Sequence, residues 1–262
     1  MASRGQARSR THAAQLIAAG LVTVDGHPAM KPSASVGANQ VIEVASSDHY
    51  VSRAAHKLNA ALDAYELDVT GRVALDAGAS TGGFTQVLLE RGASHVLAID
   101  VGHGQLASEI QELAAVTSIE GFNIRDITRE FIVDSLLTPE FPTVVVADLS
   151  FISLRMVLPV LAEAVGLDAD YVLLIKPQFE AGREHVGKGG VVRDPDVHAR
   201  VCDEVATWLR SEGWTVVGVV ESPITGPEGN IEFLIAAFRQ IATPGETNAL
   251  GHRSGLQGVA HE

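Results

Sequence analysis

The stretch from Arg72 to Phe84, Arg-Val-Ala-Leu-Asp-Ala-Gly-Ala-Ser-Thr-Gly-Gly-Phe, constrains the fold more than any other part of the chain. Val73, Ala74 and Leu75 make a short apolar run, and Asp76 falls where a buried strand would end. Gly78, Gly82 and Gly83 allow the backbone to turn tightly and to approach a ligand. From Phe84 to Leu89 the apolar spacing becomes helical, so the unit reads strand, glycine turn, helix.

Such a turn leaves three chemistries open. Gly78-x-Ser80-x-Gly82 fits the elbow that presents a nucleophilic serine in hydrolases. A dinucleotide fingerprint would need glycine at position 80, where the backbone must reach a pyrophosphate, and Ser80 stands there. An S-adenosylmethionine cradle requires only an acidic residue followed by a glycine turn, with Asp76, Gly78, Ser80, Thr81, Gly82 and Gly83 lining it.

Downstream, strand candidates at 96–100, 118–122, 144–149 and 171–176 alternate with helical patterns, the signature of a parallel sheet with crossover helices. Two late strands, 215–221 and 231–238, are joined by a Pro- and Gly-containing loop too short for a crossover, so they form an antiparallel pair at one edge. The expected fold is α/β, a Rossmann-like doubly wound sheet with an antiparallel edge strand. Strand ends then supply candidate site residues. Asp100, about twenty residues beyond the turn, can accept from ribose hydroxyls, and Asn123 and Asp126 follow the third strand. Asp148 and Lys176 end the fourth and fifth strands and Glu232 opens the last, so two carboxylates and a lysine converge on one crevice. A lysine following four apolar residues, as Lys176 does, requires a carboxylate partner if it is buried. The helical run 53–65 places Ala55, Leu58, Ala61 and Leu62 on one face with Lys57 off it.

The first 45 residues form a small unit of their own. Ser9 can cap a helix bearing Ala13, Leu16, Ile17 and Leu21, with Gly20 near its end; Asp25-Gly26 is a hairpin signal, and a strand follows at 40–44. The boundaries expected are 1–45 for this α+β unit, 46–52 for a linker, 53–240 for the large sheet and 241–262 for a polar, disordered tail. A net charge of -13 argues against a nucleic-acid partner, yet residues 1–60 carry six basic against three acidic side chains, so a basic module sits ahead of an acidic body. The single cysteine excludes a disulfide framework, the histidines show no metal-binding spacing, and no metal site is expected. The chain lacks an apolar run of roughly eighteen residues and a signal peptide, which points to a cytoplasmic protein without stable membrane association. Gly182-x-x-x-x-Gly187-Lys188-Gly189 misses a phosphate-binding loop by one residue, and 179–194 reads as a mobile lid.

The words Ala7-Arg8-Ser9-Arg10-Thr11-His12 and Gly20-Leu21-Val22-Thr23-Val24-Asp25-Gly26 resemble the RNA-binding domain first seen in ribosomal protein S-four. That resemblance implies that Arg4, Arg8 and Arg10 touch RNA phosphates. Lys57 in Arg-Ala-Ala-His-Lys-Leu, Asp148 in Ala-Asp-Leu-Ser-Phe, Lys176 in Ile-Lys-Pro-Gln-Phe-Glu, and Glu232 together resemble the Lys-Asp-Lys-Glu tetrad of FtsJ-type ribose 2′-O-methyltransferases. With the N-terminal module, the combination is similar to the TlyA family, whose members methylate cytidine riboses of ribosomal RNA and have also been called haemolysins. The resemblance implies S-adenosylmethionine as cofactor, 16S or 23S ribosomal RNA or ribosomal subunits as partner, and the tetrad as catalytic residues. The rivals are a serine hydrolase using Ser80 with Asp148 and either His185 or His198, and a membrane-active haemolysin.

Overall fold

The computed structural model describes residues 1–239 apart from 2, 3, 5, 8, 9, 19–21, 30, 38, 39, 45–48, 137 and 167. The expected Ser9 cap, the Gly20 stop, Arg8, linker residues 46–48 and the 241–262 tail lie outside the described residues. The chain forms two compact units, Met1–Tyr50 and Val51–Glu262.

In the first unit a helix α1 (Arg10–Ala18) accompanies strands β1 (Val22–Val24), β2 (His27–Pro28) and β3 (Ile42–Val44), antiparallel in the order β2-β1-β3. The Asp25-Gly26 turn joins β1 to β2 with both residues left-handed, at φ 51 and 79, the conformation that matches a two-residue hairpin to strand twist. The Asp25 carboxylate accepts from the Val41 and Gln40 nitrogens and is held below its ordinary pKa by them, which fastens β3 to the turn. Leu16, Val22 and Ile42 make the core of this unit.

The second unit opens with α2 (Ala54–Ala64), followed by β4 (Val73–Ala77), α3 (Gly83–Glu90), β5 (His95–Ile99), α4 (Ser108–Gln111), β6 (Val116–Ile119), α5 (Arg129–Ser135), β7 (Val144–Ala147), α6 (Leu154–Val165), β8 (Asp170–Ile175), α7 (Pro177–Glu180), α8 (Pro195–Ser211), β9 (Thr215–Glu221) and β10 (Phe233–Phe238). The seven strands run in the order β6-β5-β4-β7-β8-β10-β9. β4 to β8 are parallel, and β10 is antiparallel to both β8 and β9. β4, β5, β7 and β8 are buried along their whole length, as strands covered on both faces must be. Leu75, Leu97, Val145, Leu173 and Ile235 pack into one core with α6 and α8, and α2 and α3 pack against each other. The third strand ends earlier than its β-rich sequence implies, at Ile119. There the Glu120 carboxylate accepts from the Gly104, Gln105 and Leu106 amides, Gly121 turns the chain at φ 71, and Phe122 stacks on Phe131.

From β4 the chain moves to β5 and β6 on one side, then returns to β7 and β8 on the other. The carboxyl ends of β4 and β7 therefore flank the point where strand order reverses, which is where open α/β sheets leave a crevice. Because β10 is antiparallel to β8, with Phe233 opposite Ile175, its first end lies at that same edge. Among the described residues no helix is long and apolar enough to cross a membrane.

Candidate active site

Four charged side chains meet at the carboxyl edge of the sheet. The Lys57 ammonium lies 2.6 Å from Glu232 Oε2 and 3.4 Å from Asp148 Oδ2, and Lys176 Nζ lies 2.6 Å from Asp148 Oδ1. Asp148 thus bridges two lysines and Glu232 closes the row. Side-chain exposure falls from 15% at Asp148 and 11% at Lys176 to 7% at Lys57 and 1% at Glu232. The inner pair, Lys57 and Glu232, is the more shielded, and Asp148 and Lys176 are the more exposed. Two cations against two anions, each within hydrogen-bonding reach of another, let this cluster stay buried where a lone charge could not.

Lys57 is buried together with Ala55, Leu58, Ala61 and Leu62, which corrects its expected position off the apolar face. The buried sector of α2 is wider than its apolar stripe because Lys57, one turn before Ala61, has a carboxylate to meet. Glu232 lies just before β10 rather than within it. Ser150 was not singled out by sequence, yet its Oγ accepts from Lys176 Nζ at 2.8 Å. Phe151 was missed as well. It is 90% exposed, sits in the left-handed region at φ 64 and lies 5.2 Å, ring to ring, from Phe179. Its ring is thus outside the core, and its backbone is in a conformation that bulky side chains avoid.

The glycine turn is closely packed by the protein itself. A Cβ on Gly78 would stand 2.6 Å from the Asp148 carbonyl oxygen, on Gly82 2.8 Å from Leu106, and on Gly83 2.9 Å from Ser52. Gly78 therefore lets the ends of β4 and β7 approach each other. Ser80 is left-handed at φ 47; its amide donates to Asp100 Oδ2, and the Gly102 amide donates to Asp100 Oδ1. Asp100 thereby ties the turn to the loop after β5. The Thr81 carbonyl accepts from the Ala107 amide. Asp76 is wholly buried beneath the turn, accepts from Thr85 Oγ1 at 2.6 Å through Oδ2, and has no partner at Oδ1. Burial, and then the neighbouring Asp148 and Asp100 charges, push its carboxyl up to about 7 against the hydrogen bond from Thr85. An orphaned buried oxygen under a glycine turn is a place for a cationic or donor group of a ligand.

Other candidates are placed differently. Asn123 accepts from the Arg125 amide and caps the single turn Ile124–Asp126, on which Asp126 is exposed. Arg4 spends part of its guanidinium on the Gly37 and Gln40 carbonyls, and Arg10 is exposed at the start of α1. The stretch expected to be a lid is pinned at its far end. Val191 and Val192 are buried, and Asn230 accepts from the Val192 amide and donates to the Gly190 carbonyl. The hydrolase reading lacks a triad among the described residues: Ser80 Oγ bonds Gln105, His198 bonds the Val192 carbonyl, His185 lies beside Glu184, and Asp148 is taken by lysines. Among them there is also no group of three or more His, Cys, Asp or Glu that could hold a metal ion. A surface groove lined by Arg155, Arg200, Glu204 and Trp208 shares none of the site residues, and its arginines pair with Glu204.

Comparison with known proteins adds independent observations. A profile of FtsJ-like methyltransferases matches residues 50–239, and one of S4 domains matches residues 1–42. The chain is 50% identical over 88% of its length, and 85% of the relative's, to the 16S/23S rRNA (cytidine-2′-O)-methyltransferase TlyA of Mycobacterium tuberculosis. It is 40% identical to Hemolysin A of Brachyspira hyodysenteriae, covering 88% of this chain and 95% of that one. A solved structure from Streptococcus thermophilus, described as a hemolysin, superposes with a TM-score of 0.72 at 38% identity, covering 90% and 85% of the two chains.

Proposed function

The chain belongs to the FtsJ-like methyltransferase family, and on that premise we propose that it transfers a methyl group from S-adenosylmethionine to the ribose 2′-hydroxyl of cytidine in ribosomal RNA. The observation that carries the reading is the Lys57–Glu232, Asp148–Lys176 cluster at the sheet edge beside the glycine turn. Bound there, the cofactor supplies an electrophilic methyl group on a sulfonium. Asp76, with its unpartnered buried oxygen, fits the cofactor's ammonium, and the turn Gly78, Ser80, Thr81, Gly82 and Gly83 fits its backbone-facing side. Asp100 serves the ribose, and the Asn123–Asp126 turn the base.

A ribose hydroxyl is a weak nucleophile at neutral pH, so the site must hold it in line and take its proton as the new oxygen–carbon bond forms. Lys176 is the nitrogen on the open side of the cluster; as the neutral amine it takes that proton, and as the ammonium it instead stabilises the developing alkoxide. Asp148 and Ser150 fix its direction from two sides. Lys57, itself paired with Glu232, holds Asp148 in place from the shielded side. Phe151 offers an exposed ring on which the target nucleobase stacks, a contact worth about 1–3 kcal/mol per base. In the first unit Arg4, Arg8 and Arg10 supply RNA phosphate contacts; Arg4 retains donors beyond the two it spends internally.

The test is tritiated methyl transfer onto ribosomal subunits, with mapping of the protected 2′-hydroxyl. Lys176→Ala is expected to abolish transfer while S-adenosylmethionine still binds. Full activity in that variant overturns the assignment of the base, and no transfer by the native protein to any ribosomal RNA overturns the reading as a whole.

A further inference from the structure

The segment carrying Lys176 and the segment carrying Asp148, Ser150 and Phe151 are fastened to each other twice. The first fastening is inside the cluster, through Lys176 to Asp148 and Ser150. The second lies outside it and has no role in the chemistry above. Glu180, at the end of α7, accepts from Ser153 Oγ at 2.6 Å and from the Leu154 amide at 2.7 Å. Ser153 is the N-cap of α6, and its Oγ also accepts from the Arg155 amide. Between the two fastenings lie only Phe151 and Ile152 on one strand of the arrangement, and Pro177, Gln178 and Phe179 on the other.

The Glu180 carboxylate is an unusual choice for this task. It sits in a mostly buried position, and burial raises its pKa against the pull of the two hydrogen bonds and Arg155. A carboxylate held where solvation is poor is tolerated when the geometry it enforces matters. What it enforces is plain from the segment it closes. Phe151 is held at φ 64 with its ring exposed, a conformation that costs of order 1–3 kcal/mol and persists only when its surroundings over-determine it. The Ser153 and Leu154 bonds fix one end of that segment and the Ser150 bond fixes the other.

We propose that Glu180 is a positioning residue for methyl transfer: by clamping the start of α6 to the segment after Lys176, it sets Phe151 and Ser150 at the spacing the target nucleoside requires. The proposal rests on the methyltransferase reading. A displacement of about 1 Å in such a support can cost on the order of a hundredfold in rate, and the Glu180 hydrogen bonds go to Ser153 and Leu154 rather than to the glycine turn or Asp76.

The experiment uses the full chain and ribosomal subunits that the native protein has first been shown to methylate, so that failure of the general reading is seen before any variant is made. Glu180→Ala, Glu180→Gln, Phe151→Ala and the double variant Glu180→Ala/Phe151→Ala are compared for kcat, for KM toward subunits and for S-adenosylmethionine affinity. Expected for Glu180→Ala is a fall in kcat/KM of about tenfold or more, with cofactor affinity within about twofold of native. Glu180→Gln, whose amide can accept from Leu154 and donate to Ser153, is expected to recover most of it. The double variant is expected to be no worse than about twofold below the poorer single variant, because both act through one element. The proposal is overturned if Glu180→Ala leaves kcat/KM unchanged, if cofactor affinity falls in step with activity and Glu180→Gln gives no rescue, or if the two single losses multiply in the double variant.

Discussion

Asp76→Asn separates the demands of folding from those of the ligand. The Asp76 carboxyl is wholly buried, with one oxygen on Thr85 and the other without a partner, and its pKa is about 7 against an ordinary 3.8. A carboxyl raised in the folded state contributes stability that is full below its unfolded pKa and is lost as pH climbs through its folded one. Between pH 4 and pH 7 the ligand-free protein therefore loses roughly three proton-equilibrium decades at about 1.4 kcal/mol each, or about 4 kcal/mol, and stays level above. Asparagine cannot ionise and so escapes that loss. It keeps its oxygen on Thr85 but turns an amide toward the partnerless side, at a cost of about 1–3 kcal/mol. The variant should be more stable than native by about 1–3 kcal/mol at pH 8 and less stable by a similar amount near pH 4. Urea unfolding followed by tryptophan emission is suited to the test, because the chain's two tryptophans, Trp208 and Trp214, both lie in the second unit. Curves for the two proteins that stay parallel from pH 5 to pH 8 would refute the reasoning. On the ligand side, native affinity for S-adenosylmethionine should improve by up to about tenfold per pH unit toward pH 7 and then level off. The variant should bind weakly without that slope.

Two further outcomes follow from the same geometry. Lys57→Met leaves Glu232, which is 1% exposed, without its cation; loss of activity and about 3–5 kcal/mol of stability is expected, and Lys57→Met/Glu232→Gln should recover more than half of the stability in a urea titration but none of the activity. Gly78→Ala places a methyl group against the Asp148 carbonyl at φ 86 and should lower methyl transfer at least about tenfold, whereas Gly71→Ala, at φ 71 with open space around it, should pay only about 1–2 kcal/mol of backbone strain and keep its activity.

Local words and short-range periodicity carried much of this protein. The Val73–Ala77 strand and its glycine turn, the Thr215–Glu221 strand, and the antiparallel pairing of the last two strands are each written in residues that lie close together. Asp148, Lys176 and Glu232 were legible because strand ends are readable and a parallel sheet brings its carboxyl ends to one edge whatever the details, whereas Lys57 joined them only through the family resemblance.

What the sequence could not contain were the choices made between elements distant along the chain. Helical spacing put Lys57 off the apolar face and only resemblance put it in the tetrad; Glu232 and Asp148, 175 and 91 positions away, receive its ammonium. Gly78 was read for the close approach of a ligand, and its Cβ direction is closed by the Asp148 backbone as well. Ser150, Phe151 and Glu180 carry no pattern of their own and acquire meaning only from what they touch. Helix and strand periods report which side of one element is apolar; they are silent on which partner covers it. Sequence by itself determined the sheet, the cradle and the identities of the charged groups. Tertiary structure alone decided which charges neutralise which, because Coulomb energy and desolvation depend on distance and burial, and neither is a property of spacing along the chain.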